Sequence, residues 1–238
     1  KYHRPRGVVG AGSEEPNALM GLGQGPTFQP NQRATTAELH DGLQAESQNH
    51  WPSLSIDVGV VNAALSRFFP AGFYYKTFMA PRAAWKHVFE PVIRKAAGLG
   101  KAPTEADADR YEHFYAYADV LVIGAGMAGL QAALEAGRAG ARVLLVEQTP
   151  HLGGRLLSDE VKIDEETSDA WLSRTIAELQ TLPNVEIRTR LMGAGVYDHG
   201  YVTGYERLTD HLSDYMSGGE GPRHRLWRIR ADRIVTAT

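Results

Sequence analysis

Asp119-Val120-Leu121-Val122-Ile123, followed at once by Gly124-Ala125-Gly126-Met127-Ala128-Gly129, is the stretch whose reading decides the fold. The first five residues are an apolar, largely β-branched run with no polar alternation, the pattern of a strand covered on both faces of a parallel sheet. Leu130-Gln131-Ala132-Ala133-Leu134-Glu135-Ala136 then consists of strong helix formers. Gly140 stands where a helix C-terminal glycine belongs. Ala141-Arg142-Val143-Leu144-Leu145-Val146 is a second apolar strand, and it ends on Glu147. Strand, glycine turn, helix and strand make one complete βαβ unit.

Each residue type in the turn has a physical reason. Gly124 permits the tight strand-to-helix turn. Gly126 removes the side chain that would hold a pyrophosphate away from the backbone N–H groups, and Gly129 lets helix and strand approach closely. Met127 and Ala128 fill the intervening positions on the first helical turn, whose unpaired donors and positive dipole end face the diphosphate. Glu147 follows Gly124 by roughly the twenty residues that place a carboxylate at the end of the second strand, within reach of both hydroxyls of an adenosine ribose. A 2′-phosphate is repelled there, and Gln148 follows with no arginine beside it, so NADP is disfavoured relative to NAD or FAD. Leu152-Gly153-Gly154-Arg155 comes next. A Gly-Gly pair after the ribose-binding acid adds backbone to the diphosphate side in two-dinucleotide flavoproteins, or else forms an ordinary tight turn. Arg155 has either a phosphate or a surface carboxylate as partner.

Working outward, residues 1–50 are rich in Gly, Pro, Asn and Gln, the texture of short strands and turns, with residues 34–43 a short strand running into the Asp41-Gly42 turn. Residues 62–99 become aromatic and helical. Trp85, Val88, Phe89 and Val92 share a helix face, a core or docking stripe, and Pro91 kinks or restarts that helix. Gly98-Leu99-Gly100-Lys101-Ala102-Pro103 has linker composition, which puts a domain boundary near residues 100–115. After the βαβ unit, residues 168–182 read as a helix and residues 185–190 as a strand. Residues 195–205 read as a strand pair around Asp198-His199-Gly200, and residues 225–230 and 233–238 as two further strands. The last of these resembles the strand that leads into an Ala-Thr-Gly turn beside the cofactor in flavoproteins.

Composition narrows the function. The 238 residues carry 25 Lys and Arg against 28 Asp and Glu, a formal charge of −3, so no basic field exists to hold nucleic acid or an anionic membrane. The most apolar stretch, residues 120–134, is broken by three glycines and Gln131 and is a core segment, not a membrane span. The absence of cysteine removes disulfides, thiolate nucleophiles and cysteine-ligated zinc or iron–sulfur clusters from these residues. Nine histidines show no metal-ligand spacing; His199, beside Asp198, is the one kept as a site candidate. The chain opens on Lys1 without a signal core and closes on the apolar Ile234-Val235-Thr236-Ala237-Thr238, so it is expected to be a stretch of a longer polypeptide.

Longer motifs carry a resemblance. Lys1-Tyr2-His3-Arg4-Pro5-Arg6-Gly7, Glu15-Pro16-Asn17-Ala18, Pro30-Asn31-Gln32-Arg33-Ala34-Thr35, Trp51-Pro52-Ser53, Phe69-Pro70-Ala71-Gly72-Phe73-Tyr74-Tyr75-Lys76-Thr77-Phe78, the βαβ unit and Gly195-Val196-Tyr197-Asp198-His199 together resemble the alpha subunits of heterotetrameric sarcosine oxidases, across essentially the whole chain. The resemblance implies an α/β, Rossmann-like FAD/NAD(P)-binding fold over residues 116–238, incomplete at its C-terminal end. Ahead of it come the tail of a cluster-free, ferredoxin-like β-rich domain at 1–60 and an aromatic helical connector at 61–115. It implies a cytoplasmic oxidoreductase that demethylates sarcosine to glycine, forms peroxide and passes the one-carbon unit to tetrahydrofolate, bound by a C-terminal half beyond these residues. FAD and FMN belong mainly to the partner beta subunit; gamma and delta subunits are further partners. Gly124, Gly126, Met127, Ala128, Gly129, Glu147, Gln148, Gly153, Gly154 and Arg155 inherit cofactor binding, with NAD expected and FAD the alternative. No residue is assigned to catalysis or to a metal. Two other readings stand beside this one: the FAD-binding subunit of a related amine, opine or cyanide-forming dehydrogenase, and an assembly module with a non-redox nucleotide.

Overall fold

The computed structural model describes residues 19–25, 28–34, 37–48, 50–53, 55–65, 68, 78, 80–97, 106, 107, 109–163, 165–212 and 221–238. Residues 1–18, the run from Phe69 to Thr77 and the linker at 98–103, all singled out above, lie outside these. The chain divides into two units, residues 1–108 with 212–219 and residues 109–211 with 220–238.

In the first unit β1 (Leu19–Leu22) pairs antiparallel with β2 (Gln29–Arg33) on one side and β3 (Ala45–Ser47) on the other. Asn31 and Gln48 tie the sheet end by two hydrogen bonds, the Asn31 N–H donating to Gln48 Oε1 at 2.9 Å and Gln48 Nε2 to Asn31 Oδ1 at 2.8 Å. The expected strand at 34–43 does not form among its described residues; the Asp41-Gly42 turn precedes β3 and is closed by Leu43 N–H donating to the His40 carbonyl. A short helix, Val60–Ala64, follows the buried Asp57, whose Oδ1 accepts from the Gly59 and Trp51 N–H groups. Further on, Arg82–Ala84 and Glu90–Ala97 are α-helical and Trp85–Phe89 between them is a π-turn. Pro91 explains this: it has no N–H to offer the preceding turn, and a widened turn absorbs the missing bond without ending the helix. Trp85, Val88 and Val92 are exposed.

The second unit is built on a six-stranded sheet in the order β8-β5-β4-β11-β10-β9. The strands are β4 (Tyr111–Ile123), β5 (Val143–Val146), β8 (Val185–Arg188), β9 (Leu191–Tyr197), β10 (Tyr201–Arg207) and β11 (His224–Thr236). β8, β5, β4 and β11 run parallel, and β10 and β9 continue the sheet antiparallel. The small hairpin β6–β7 (Lys162–Ile163, Glu166–Thr167) lies outside it. Two helices, Met127–Arg138 and Ser168–Thr181, cover one face and pack with Val122, Val143 and Leu145. Leu130, Leu145 and Leu179 are fully buried there, each stabilising the fold by about 2 kcal/mol. The other face holds a second cluster with Leu121, Ile123, Val202, Trp227 and Ile229.

Two strands are longer than the sequence reading placed them. β11 is one strand where two were expected, and β4 reaches back to Tyr111, into residues read as helical connector. Ala116 and Ala118 share a cluster with Leu121 and Ile123, so the inward-facing parity changes between them. The change falls where Asp119 and Val120 both donate their N–H to the Arg142 carbonyl, an irregularity of the bulge kind. It lets the apolar run 120–123 and the alternating stretch 111–118 belong to one strand.

Candidate functional site

The parallel strands end together at a cavity of about 960 Å³. β4 stops at Ile123, and Gly124 turns the chain with φ +98°, where a Cβ would stand 2.6 Å from the Ala237 carbonyl oxygen. The turn is fixed on both sides, Gly124 N–H donating to the Val146 carbonyl at 2.8 Å and Ala237 N–H to the Ile123 carbonyl at 2.8 Å. Gly126 is the N-cap of the Met127–Arg138 helix and has no side-chain cap. A Cβ there would meet nothing within 4 Å, and the residue lines the cavity. The first helical turn therefore presents its unpaired N–H groups to open space that a side chain at 126 would fill. Met127 and Ala128 line the same wall.

Gly129 makes the close approach of helix to strand rather than facing the cavity. It is buried below the cavity and does not line it. A Cβ there would collide with the Gly124 carbonyl and press on Ala237, so its close approach is to the turn and to the end of β11. Gly153 and Gly154 do reach the turn. Gly153 N–H donates to the Ala125 carbonyl at 2.8 Å, and a Cβ on Gly154 would stand 3.1 Å from the Gly126 Cα. The Gly-Gly pair is thus a second backbone layer against the glycine turn. At Gly153, φ +122° and the nearness of Leu172 require glycine.

Glu147 is buried at the end of β5, and both of its carboxylate oxygens are engaged. Oε2 accepts from Ala125 N–H at 2.8 Å; Oε1 accepts from the Thr149 N–H and hydroxyl, each at 2.9 Å. The carboxylate therefore braces the glycine turn from inside, and its remaining lone pairs are what it can offer a ribose. Gln148 is exposed on the cavity wall, and its carbonyl accepts from Arg207 Nη2 at 3.4 Å. Sequence adjacency had shown no arginine here; β10 brings one through space. Arg155 lines the cavity with its side chain in solvent, where it pairs with Asp159 at 2.9 Å.

The cavity wall also contains residues that motif reading passed over: Thr149 and His151 on the loop after β5, and Leu191, Met192 and Gly193 at the start of β9. Gly193 was the signal available for the latter, since a Cβ there would meet Ile123 at 2.8 Å. Ala237 and Thr238 stand beside the turn, where the flavoprotein likeness had put them. His199 takes φ +59° in the turn Asp198–Gly200, is exposed and is not on the cavity wall.

A glycine turn at the C-terminal edge of a parallel sheet, opening onto the start of a helix with a carboxylate at the end of the next strand, defines a dinucleotide-binding α/β protein. The family described as FAD-dependent oxidoreductase matches residues 119–209, the same elements, and places the chain in that class. The chain belongs with the sarcosine oxidase alpha subunits. It is 51% identical over its full length to the sarcosine oxidase alpha subunit of Rhizobium meliloti, 24% of whose length it spans. It is 35% identical over 99% of its length to the Corynebacterium protein of that name, spanning 20% of it. An opine oxidase subunit of Rhizobium meliloti is 40% identical over half of the chain and 22% of its own length.

Residues 1–50 match the family described as 2Fe-2S iron–sulfur cluster binding domain. Such clusters are held by cysteine thiolates, in some cases with two histidines. The chain has no cysteine, and no group of three or more metal-ligating side chains occurs among the described residues. These residues do not fit a cluster.

Proposed function

We propose that the cavity holds the ADP portion of a dinucleotide, with NAD as the nucleotide, in the alpha subunit of a sarcosine oxidase. One observation carries this: Gly126 leaves the helix N-terminus bare where a Cβ would meet nothing, with the Gly153-Gly154 backbone and Glu147 beside it. Gly124, Gly126, Met127, Ala128, Gly153 and Gly154 would contact the diphosphate, Gly129 and Glu147 would keep the turn in shape, and Glu147 with Gln148 would meet the ribose. Arg155 would exchange Asp159 for a phosphate oxygen. When bound, a nicotinamide supplies a hydride-accepting ring; this chain's residues bind and orient it.

The whole protein, by this reading, oxidises the methyl–nitrogen bond of sarcosine, giving glycine, a one-carbon unit passed to tetrahydrofolate, and peroxide from dioxygen. Its other parts are beta, gamma and delta subunits, with FAD and FMN mainly on beta, in the cytoplasm. Residues 116–238 form the nucleotide domain of that assembly, after a ferredoxin-like segment and a connector. No helix among the described residues is long and apolar enough to cross a membrane.

FAD as the working cofactor is the second reading, favoured by the family match over residues 119–209. The nucleotide released from natively purified, full-length complex separates the two by absorbance and mass. NAD that sarcosine leaves unreduced supports the first; FAD bleached by substrate replaces it with the second.

A further inference from the structure

Glu147 is one acceptor short of what a ribose needs. An ionised carboxylate offers about four lone-pair sites, two on each oxygen. The chain itself takes three of them: Ala125 N–H donates to Oε2 at 2.8 Å, and the N–H and hydroxyl of Thr149 both donate to Oε1, each at 2.9 Å. One site on Oε2 remains, whereas the 2′- and 3′-hydroxyls of an adenosine ribose bring two hydrogens. Turning the Thr149 hydroxyl hydrogen away would not open Oε1, because the Thr149 oxygen would still stand 2.9 Å from it on the same side.

Thr149 itself has the missing acceptor. It is exposed and lines the cavity together with Glu147 and Gln148. Its single hydroxyl hydrogen is shared between Glu147 Oε1 and the His151 carbonyl, 2.8 Å away. With that hydrogen committed inside the chain, the oxygen has only lone pairs for a ligand, so it can accept from a hydroxyl but has nothing to donate. The residue is also held: its N–H bonds Glu147, and its carbonyl accepts from the Arg190 N–H at 3.1 Å. A fixed acceptor loses little rotamer freedom on binding, which the long, exposed side chain of Gln148 would have to give up.

We infer that Thr149 reads the ribose jointly with Glu147, Oε2 of the carboxylate accepting one hydroxyl and the Thr149 oxygen the other. The pair then recognises a diol as a diol: a sugar lacking either hydroxyl leaves one acceptor without its donor, a loss on the scale of one hydrogen bond. The inference rests on the reading of the cavity as the site of the ADP portion of a dinucleotide. It holds alike for NAD and FAD, which share that portion.

The test measures the affinity of nucleotide-depleted, full-length chain for ADP, 2′-deoxy-ADP and 3′-deoxy-ADP by calorimetry. The unaltered chain should bind each deoxy nucleotide about fivefold or more weaker than ADP, and a deoxy nucleotide that binds like ADP overturns the inference whatever any variant does. Thr149→Val keeps the shape and the N–H, and its methyl group covers the Oε1 site that the hydroxyl served. It should weaken ADP about fivefold and bind one of the two deoxy nucleotides as tightly as ADP, since the hydroxyl that nucleotide lacks no longer has an acceptor. Thr149→Ser should restore both the affinity and the discrimination. Equal weakening of all three nucleotides by Thr149→Val makes the hydroxyl a structural support only, and unchanged affinities give the second ribose hydroxyl to Gln148; either result overturns the inference. An unaltered chain that binds none of the three removes the cavity reading itself, a failure distinct from the others, and the inference with it.

Discussion

Gly126 and Gly129 are the same residue type in one motif, and the structure gives them opposite tolerances. At Gly126 an added methyl group meets no atom within 4 Å; at Gly129 it meets the Gly124 carbonyl. Gly126→Ala should therefore change stability by under about 1 kcal/mol, the scale of a changed N-cap, while emptying the cavity of nucleotide. Gly129→Ala should cost about 3 kcal/mol or more, because backbone atoms have no rotamer with which to give way. Chemical denaturation of the full-length chain, read together with bound nucleotide, checks the pair; equal loss of stability in both would refute the assignment. Thr175 offers a prediction of the other sign. It is fully buried, and its hydroxyl has no hydrogen-bond partner among the described residues. Thr175→Val keeps the shape, removes the unmet group and should raise stability by about 1 kcal/mol in the same measurement. The glycine spacing was legible from the chain alone because a turn is a local object. The engagement of Glu147 was not, since its partner Ala125 is a backbone N–H that any residue at that position would offer.

Elements show the same division between local and distant signals. The run 120–123, the Ser168–Thr181 helix and the turn Asp198–Gly200 are written in short windows of sequence. The first half of β4 is written in alternation, with Ala116 and Ala118 facing inward, and aromatic residues on both faces obscured it. Least legible is the tie between β4, β10 and β11, whose partners are far apart in the chain. Arg223 donates to Asp109 and to Asp210, each at 2.6 Å. His224 stands 2.9 Å from Asp210 and 2.5 Å from the Tyr205 hydroxyl. Burial pushes the Asp210 carboxyl up, but His224 and Arg223 beside it outweigh burial and hold it below the usual aspartate range. Its ionised form is then the one that favours the fold. That stability is fully present above the ordinary aspartate value of about 3.9 and is lost as pH falls through the lower folded value. Asp210→Asn should cost about 2 kcal/mol at neutral pH, because the buried Arg223 loses one of its two carboxylates and keeps Asp109. It should also remove this contribution from the acid limb of a stability-against-pH profile, and an unchanged profile would show that the carboxylate contributes nothing there.

At the scale of the whole chain, what counts is how the site's ionisable groups are already occupied. Glu147 is committed to Ala125 and Thr149, and Asp159 to Arg155. Of the other titratable groups on the cavity wall only His151 is left, exposed on a loop after β5. This set can grip an anion and a ribose, but it offers no buried acid–base pair of the kind that takes a proton from an amine. On the proposed reading the nucleotide acts on stability and assembly rather than on turnover. A ligand at one hundred times its dissociation constant raises stability by about 2.7 kcal/mol. Added NAD should thus raise the unfolding midpoint of nucleotide-depleted full-length chain, and Gly126→Ala should abolish that rise. In the assembled complex the same variant should lower the yield of complex, while peroxide formed from sarcosine, per complex recovered, keeps its kcat and KM. A fall in kcat with assembly intact would instead make the residues around Gly126 part of the electron path and would favour FAD as the occupant.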